Sequence, residues 1–438
     1  MNCCHHYQFT PGNEQVFSAD VTRIRYGCGV LQELGQEARA LGIRRAAVYT
    51  DRLVASLPLF QEAVEALRCE GIEVVIYDEV RVEPTDISFK DAAAFAKSSA
   101  FDGFVSIGGG SVIDTAKAAN LYSTCPGDFM DYVNAPIGQG LAVPGPLRPH
   151  LACPTTAGTG SESTGIAVFD LLEMKSKTGI SSRAMLPDRG IIDPRWTESL
   201  PATVMAATGF DAISHALEAL TAKPFTSRPS PENISGRPMP QGANPFSDTL
   251  CRESLRQAGK YLVRAVNDRA DHEARHAMMY AATLAGVGFG NAGCHLPHAM
   301  SYPVSGRVEH YQPEGYPGVE PICPHGMSVI VNAPAAYRFT APGCPERHAE
   351  GAELLGADAH DTVPAEAGAV LAGHIEEMMR ATGVPNGIGG VGFTEDAVDG
   401  LASAASAQQR LLLVAPVSVD EADLRNLYRD ALSYWQHS

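Results

Sequence analysis

The stretch "FDGFVSIGGGSVIDTAKAAN", Phe101 to Asn120, decides the architecture. A run of aromatic and β-branched residues reads as a buried strand, three glycines (Gly108, Gly109 and Gly110) stop it, and an alanine-rich helix follows. Glycine lets a backbone turn sharply and come close to a ligand, and the free amides of a new helix attract an anion. The same residues also suit a plain helix start, because Ser111 and Asp114 have the spacing of a capping box. The glycine spacing is not the dinucleotide fingerprint, which belongs at the first strand-to-helix turn. A phosphate cradle and a structural turn are both open at this point.

Upstream, "RRAAVYTD" (Arg44–Asp51) and "IEVVIYDEV" (Ile72–Val80) read as two more buried strands, with Pro58–Glu70 and Ser88–Ser99 as helices. Strand and helix alternating at this spacing predict an α/β domain whose Rossmann-like parallel sheet is covered on both faces. Downstream, "HLACP", "GIAVFDL" and "RGIIDP" (Arg189–Pro194) either extend the sheet or form hairpins. After Pro194 the period changes to helical: Ala202–Ala222, Ser247–Val266, His272–Gly288, His325–Phe339, Glu346–Leu355, Pro364–Ala381 and Glu421–Tyr434. The expected organisation is therefore an α/β domain over 1–194 and an all-α domain over 195–438. One insert, "KPFTSRPSPENISGRPMPQGANP" (Lys223–Pro245), is too rich in Pro, Gly and Ser to be regular, and loops of that length are usually functional or mobile. No internal repeat is evident.

The net charge of −17 argues against a nucleic-acid partner, since phosphate binding needs a concentrated basic surface. No run of about 18 apolar residues marks a membrane span. The first residues have neither a secretory core nor the bias of a transit peptide, so the cytoplasm is the expected location. Ten scattered cysteines without CxxC pairs read as free thiols. Cys3, Cys4, His5 and His6 form a short tract able to hold a soft metal or simply a frayed end.

In "GFDAISHALEALT" (Gly209–Thr221), Asp211 and His215 lie four apart on a helix, near enough to share one ion or to hydrogen bond to each other. "GNAGCHLPHAMSYPVSG" adds His295 and His298, and "CPHGMSVIVNAP" adds His325 at a helix start. One carboxylate with three imidazoles suits Fe2+ or Zn2+; Cys294 and Cys323 are less suited as ligands. Such an ion would lower the pKa of a bound alcohol and polarise a carbonyl. A second loop, "CPTTAGTGSES", offers Thr155, Thr156, Thr159 and Ser161 to a diphosphate or ribose. Asp51, closing the first strand, either accepts from a ribose hydroxyl or caps a helix.

The blocks "GGGSVIDTAK", "PTTAGTGSE", "GFDAISHALE", "HAMSYP" and "PHGMSV", in that order, resemble the iron-containing alcohol dehydrogenases, from about Arg23 to the C-terminus. The resemblance implies the dehydroquinate synthase-like architecture, with NAD on the glycine-serine loop, Asp114 and the threonine loop, and Lys177 of "KTGISS" touching the cofactor. It implies metal ligation by Asp211, His215, His298 and His325. Many members carry a second histidine where this chain has Tyr302. That tyrosine, "RVEPTD" (Arg81–Asp86), "NAPIGQG" (Asn134–Gly140) and the long insert resemble the hydroxyacid–oxoacid transhydrogenase branch. This branch implies oxidation of 4-hydroxybutyrate to succinic semialdehyde, with the hydride passed through bound NAD to 2-oxoglutarate, giving 2-hydroxyglutarate. His295 and Tyr302 are candidates for proton transfer, and Arg183, Arg228 and Arg237 for the substrate carboxylates. The rival readings are an ordinary NAD(P)-dependent alcohol dehydrogenase with free cofactor, a dehydroquinate synthase-like lyase or glycerol-phosphate dehydrogenase, and a non-catalytic NAD- or metal-binding protein. A homodimer or higher homo-oligomer is the base-rate expectation.

Overall fold

The computed structural model describes residues 6–233, 236–316, 318 and 320–436. Of the N-terminal Cys/His tract, Cys3, Cys4 and His5 lie outside the described residues. The chain divides into two compact units, Val21–Leu200 and a second made of Met1–Asp20 with Pro201–Ser438.

In the first unit, six strands form one parallel sheet in the order β1-β8-β5-β4-β2-β3. They are β1 (Arg23–Tyr26), β2 (Arg45–Tyr49), β3 (Glu73–Tyr77), β4 (Gly103–Gly108), β5 (His150–Pro154) and β8 (Arg189–Ile192). The glycine-terminated strand β4 sits centrally, buried along its whole length, with Val105 opposite Val48 of β2 and Leu151 of β5. Burial on both faces explains why Phe104, Val105 and Ile107 are all apolar. Two further strands, β6 (Ile166–Leu171) and β7 (Ser176–Ser181), pair antiparallel as a separate hairpin. Helices α1 (Leu34–Ala40), α2 (Arg52–Ala55), α3 (Pro58–Cys69), α4 (Asp86–Lys97) and α5 (Gly110–Thr124) connect the strands. Thr85 starts α4 with a capping box closed by Ser88. Core side chains such as Phe89, Phe104 and Phe169 are fully buried; each contributes roughly 1.5–3 kcal/mol relative to exposure.

The second unit is helical, as its period requires: α6 (Ala202–Thr221), α7 (Pro245–Asn267), α8 (His272–Ala292), α9 (Leu296–Arg307), α10 (His325–Ile330), α11 (Ala333–Thr340), α12 (Pro345–Leu355), α13 (Ala367–Ala381), α14 (Val398–Ser406), α15 (Gln409–Leu412) and α16 (Glu421–Asp430). Helix α6 packs on α7, α8 and α10 and is buried on nearly every side. The single helix expected over His325–Phe339 is two, because the chain turns at Val331 and Asn332 ahead of Pro334. No helix of the described residues is long and apolar enough to cross a membrane.

The division falls after Leu200 rather than after residue 194, and the N-terminal arm joins the helical unit rather than the α/β unit. Hydrogen bonds hold it there. The Glu14 N–H donates to Arg228 O, Ser18 and Gln241 exchange bonds in both directions, and the Asp20 N–H donates to the Asn291 side chain. The insert is irregular as expected, but it is fastened through its backbone: the Phe225 N–H donates to Ala243 O, and the Gln241 and Gly242 N–H groups to the end of α8.

Candidate metal centre and cofactor cradle

Helix α6 places Asp211, His215 and Glu218 on one face at successive turns, all of them buried. His298 joins them from α9, and His325 from the first position of α10. Close approach of α10 depends on the next residue: a Cβ at Gly326 would lie 2.0 Å from Ala207 O and 2.7 Å from Asp211 Cβ. Asp211 Oδ1 is 3.7 Å from His215 Nε2, 3.6 Å from His298 Nε2 and 3.7 Å from His325 Nε2. These separations exceed a hydrogen bond. They approach the ~3.4 Å between two ligands each about 2.1 Å from a tetrahedral ion. Asp211 Oδ1 and His298 Nε2 are buried without a hydrogen-bond partner among the described residues. A divalent cation is what such a set of converging donors accommodates, and the residues fit it.

The surroundings prepare these donors. Glu218 Oε1 lies 2.6 Å from His298 Nδ1, and its Oε2 accepts the His295 backbone N–H at 2.5 Å. Glu218 thus orients the ring so that Nε2 of His298 faces Asp211, the carboxylate–histidine arrangement typical of metal sites. Burial alone would raise the Glu218 pKa, but the charge and hydrogen bond of His298 hold it below the usual range. Burial likewise opposes the imidazolium of His298, which Glu218 outweighs, raising it well above an ordinary histidine. Burial lowers His215 to about 4, keeping it neutral, and the Phe289 ring stacks on it with centroids 3.9 Å apart. Asp211, which burial would raise, is held well below the ordinary carboxylate value by His215, His325 and His298. Glu218 escaped the sequence reading, although its spacing of seven from Asp211 was visible in the same stretch.

In the α/β unit, Gly109 caps α5 with no side chain engaged. The expected Ser111–Asp114 capping box is absent. The helix begins one residue before Ser111, whose Oγ accepts the Glu83 N–H at 3.2 Å, while buried Asp114 accepts the Val168 N–H at 2.9 Å and pairs with Lys117. The two loops interlock: a Cβ at Gly109 would sit 3.2 Å from Thr156, and one at Gly110 would sit 2.6 Å from Thr159. The Thr155 N–H donates to Gly108 O. The amides opening α5, bordered by threonines, have the chemistry of an anion cradle. Asp51 is the cap of α2, accepting the Val54 N–H at 2.9 Å, so that oxygen is spent on the helix. Lys177 is buried between Glu83 at 2.5 Å and Asp170 at 3.1 Å.

The remaining expected residues divide. Tyr302 follows His298 by one turn of α9, its ring centroid 6.2 Å from that of His325. His295 precedes α9 in a non-helical conformation, so helical spacing does not bring it toward the ligand side. Its Nε2 lies 2.9 Å from Thr221 Oγ1, whose own hydrogen goes to Leu217 O. Arg237 makes two bonds to the Glu14 carboxylate, at 2.9 and 3.0 Å, and Arg228 donates to Pro240 O. Both line a cavity of about 20 Å³ beside Glu14 and Gln241, room for a single water. The Arg237 guanidinium is thus taken up by Glu14, whereas Arg228 gives one nitrogen to a backbone carbonyl. Arg183 is exposed at the start of a short turn.

Residues 21–194 match the family model described as iron-containing alcohol dehydrogenase, and residues 239–432 match the Fe-containing alcohol dehydrogenase family, C-terminal. The chain belongs to the iron-containing alcohol dehydrogenase family. In this family it is 47% identical over 424 residues to the hydroxyacid-oxoacid transhydrogenase of Xenopus tropicalis, covering 96% of this chain and 92% of the relative. The name of that relative places it in the mitochondrion, not in the cytoplasm expected here. A crystal structure of 1,3-propanediol oxidoreductase superposes with a TM-score of 0.83 at 28% identity, covering 95% of this chain and 100% of that one. Sulfoacetaldehyde reductase from Bifidobacterium kashiwanohense, solved in complex with NAD+, gives 0.77 at 25% identity, covering 96% and 100%. Membership implies a metal-dependent oxidoreductase with nicotinamide-type cofactor binding. The glycine and threonine loops fall in the first matched block and His298 and His325 in the second. Asp211 and His215 lie between the two, so their part in the centre stands on the distances above.

Proposed function

We propose that the chain is a hydroxyacid–oxoacid transhydrogenase, oxidising 4-hydroxybutyrate to succinic semialdehyde and reducing 2-oxoglutarate to 2-hydroxyglutarate, with NAD retained between the half-reactions. The observation that carries this reading is the convergence of Asp211, His215, His298 and His325, whose donor atoms all lie within 4.8 Å of one another, in a chain this similar to named transhydrogenases. Those four residues would hold Fe2+, Zn2+ being the other ion the donor set accepts. The ion supplies Lewis acidity toward an alcohol or carbonyl oxygen, and NAD supplies the acceptance and return of hydride.

The protein's own residues bind and orient. Glu218 fixes the ring of His298, and Phe289 covers His215 and keeps water from that side. Gly109 and Gly110, packed against Thr156 and Thr159, would let the backbone approach the cofactor phosphates. Tyr302, beside His325, is the proton carrier we favour over His295, whose ring is engaged by Thr221. The test is direct: iron-loaded protein is given 4-hydroxybutyrate and 2-oxoglutarate with no added NAD. Equal amounts of succinic semialdehyde and 2-hydroxyglutarate are expected. Turnover only with free NAD would make it an ordinary alcohol dehydrogenase, and no redox product would overturn the reading.

A further inference from the structure

The segment "RVEP" ahead of α4 contains the backbone anomaly nearest the cradle. Glu83 has φ of 55°, a left-handed conformation that only glycine adopts without strain. Pro84 follows and disfavours the right-handed helical well, yet the position is occupied by a long acid instead of the glycine that would relax it. Three fixtures hold the segment. The Glu83 carboxylate lies 2.5 Å from Lys177 Nζ, the Glu83 N–H donates to Ser111 Oγ at 3.2 Å, and the Asp170 N–H donates to Pro84 O at 2.7 Å. Lys177 already has an opposite charge in Asp170 at 3.1 Å, with Arg81 adding a positive charge that Asp170 feels. Asp170 therefore remains to pair the buried lysine when the Glu83 carboxylate is removed.

We propose that Glu83 is a positioning residue for the cofactor cradle: docking its carboxylate on Lys177 holds a strained backbone whose N–H fixes Ser111 at the opening of α5. The proposal rests on the reading that NAD sits at that opening. Glu83 need not touch the cofactor. It sets the loop that does, and it links Ser111 to the β6–β7 hairpin that carries both Lys177 and Asp170.

The experiment measures NAD affinity by calorimetry and the melting temperature for the wild-type protein, Glu83→Gly, Ser111→Ala and the double variant. Glycine accepts the left-handed conformation and leaves Lys177 paired with Asp170, so the fold has no reason to weaken. Glu83→Gly is expected to bind NAD about tenfold more weakly, the scale of one charge-assisted hydrogen bond, with its melting temperature unchanged or raised. Adding Ser111→Ala to it should cost little more, because both changes break one linkage. Wild-type affinity in Glu83→Gly, a loss that tracks a fall in melting temperature of about 5 °C or more, or additive losses in the double variant would each overturn the proposal. If the wild-type protein takes up no NAD, the cofactor reading itself fails, a result distinct from these three.

Discussion

Glu218 is the side chain on which the geometry of His298 depends, since it takes the Nδ1 hydrogen and is anchored by the His295 amide. Glu218→Gln keeps the shape but exchanges a charged acceptor for an amide that can also donate. Metal affinity is expected to fall about 10–100-fold. Competition against a chromogenic chelator reads this, and an unchanged circular dichroism spectrum shows that α6 persists. A matching loss of helix would instead make Glu218 merely structural. At Gly326 the argument is steric. Gly326→Ala drives a methyl into Ala207 O and the Asp211 side chain, so α10 must shift and carry His325 with it. Overpacking of this kind costs about 1–3 kcal/mol; the expected outcome is a lower melting temperature together with loss of bound metal on dialysis. Retention of a full metal complement would show that His325 is dispensable as a ligand.

At the scale of elements, the strands and helices legible in the sequence were those with one dominant periodicity. Strand β4 is apolar but for Ser106 because the sheet is covered on both faces, and the boundaries of α6 fell within a residue of expectation. Strand β1, "RIRY", was not legible: it is an edge strand with a largely exposed, charged face, so no apolar alternation announces it. Strand β7 reads "SKTGIS", polar in sequence yet buried, because its backbone pairs with β6 and its lysine is met by Asp170 and by Glu83, 94 residues away. The same limit applied to the arginines. Nothing local tells that Arg237 has Glu14 as its mate, 223 residues away. This predicts that Arg237→Ala lowers the melting temperature while leaving KM for the oxoacid within about twofold, since less than 0.5 kcal/mol of binding is then at stake. A tenfold rise in KM with unaltered stability would return Arg237 to the substrate site.

For the whole molecule, the fold class followed from the switch in period near Pro194, and four of the five acid and imidazole residues raised for the metal converge, His295 being the exception. The arm before Val21 was assigned to the other unit because its docking is long-range and leaves no pattern in the arm itself. The two units should respond separately to their ligands. A ligand that binds only the folded state protects the elements that hold it. Chelation is therefore expected to speed amide hydrogen exchange in α6, α9 and α10 and to leave the strands of the α/β sheet unchanged, as read by peptide-resolved mass spectrometry. Uniform acceleration across the sheet would contradict an ion confined to the helical unit. The arm has one more consequence, for biosynthesis. Its mates Arg228, Arg237, Gln241 and Asn291 leave the ribosome some two hundred residues after it does. The α/β unit, wholly translated in between, can fold first as a contiguous block. The nascent protein must therefore keep this arm in waiting until the later helices emerge to receive it.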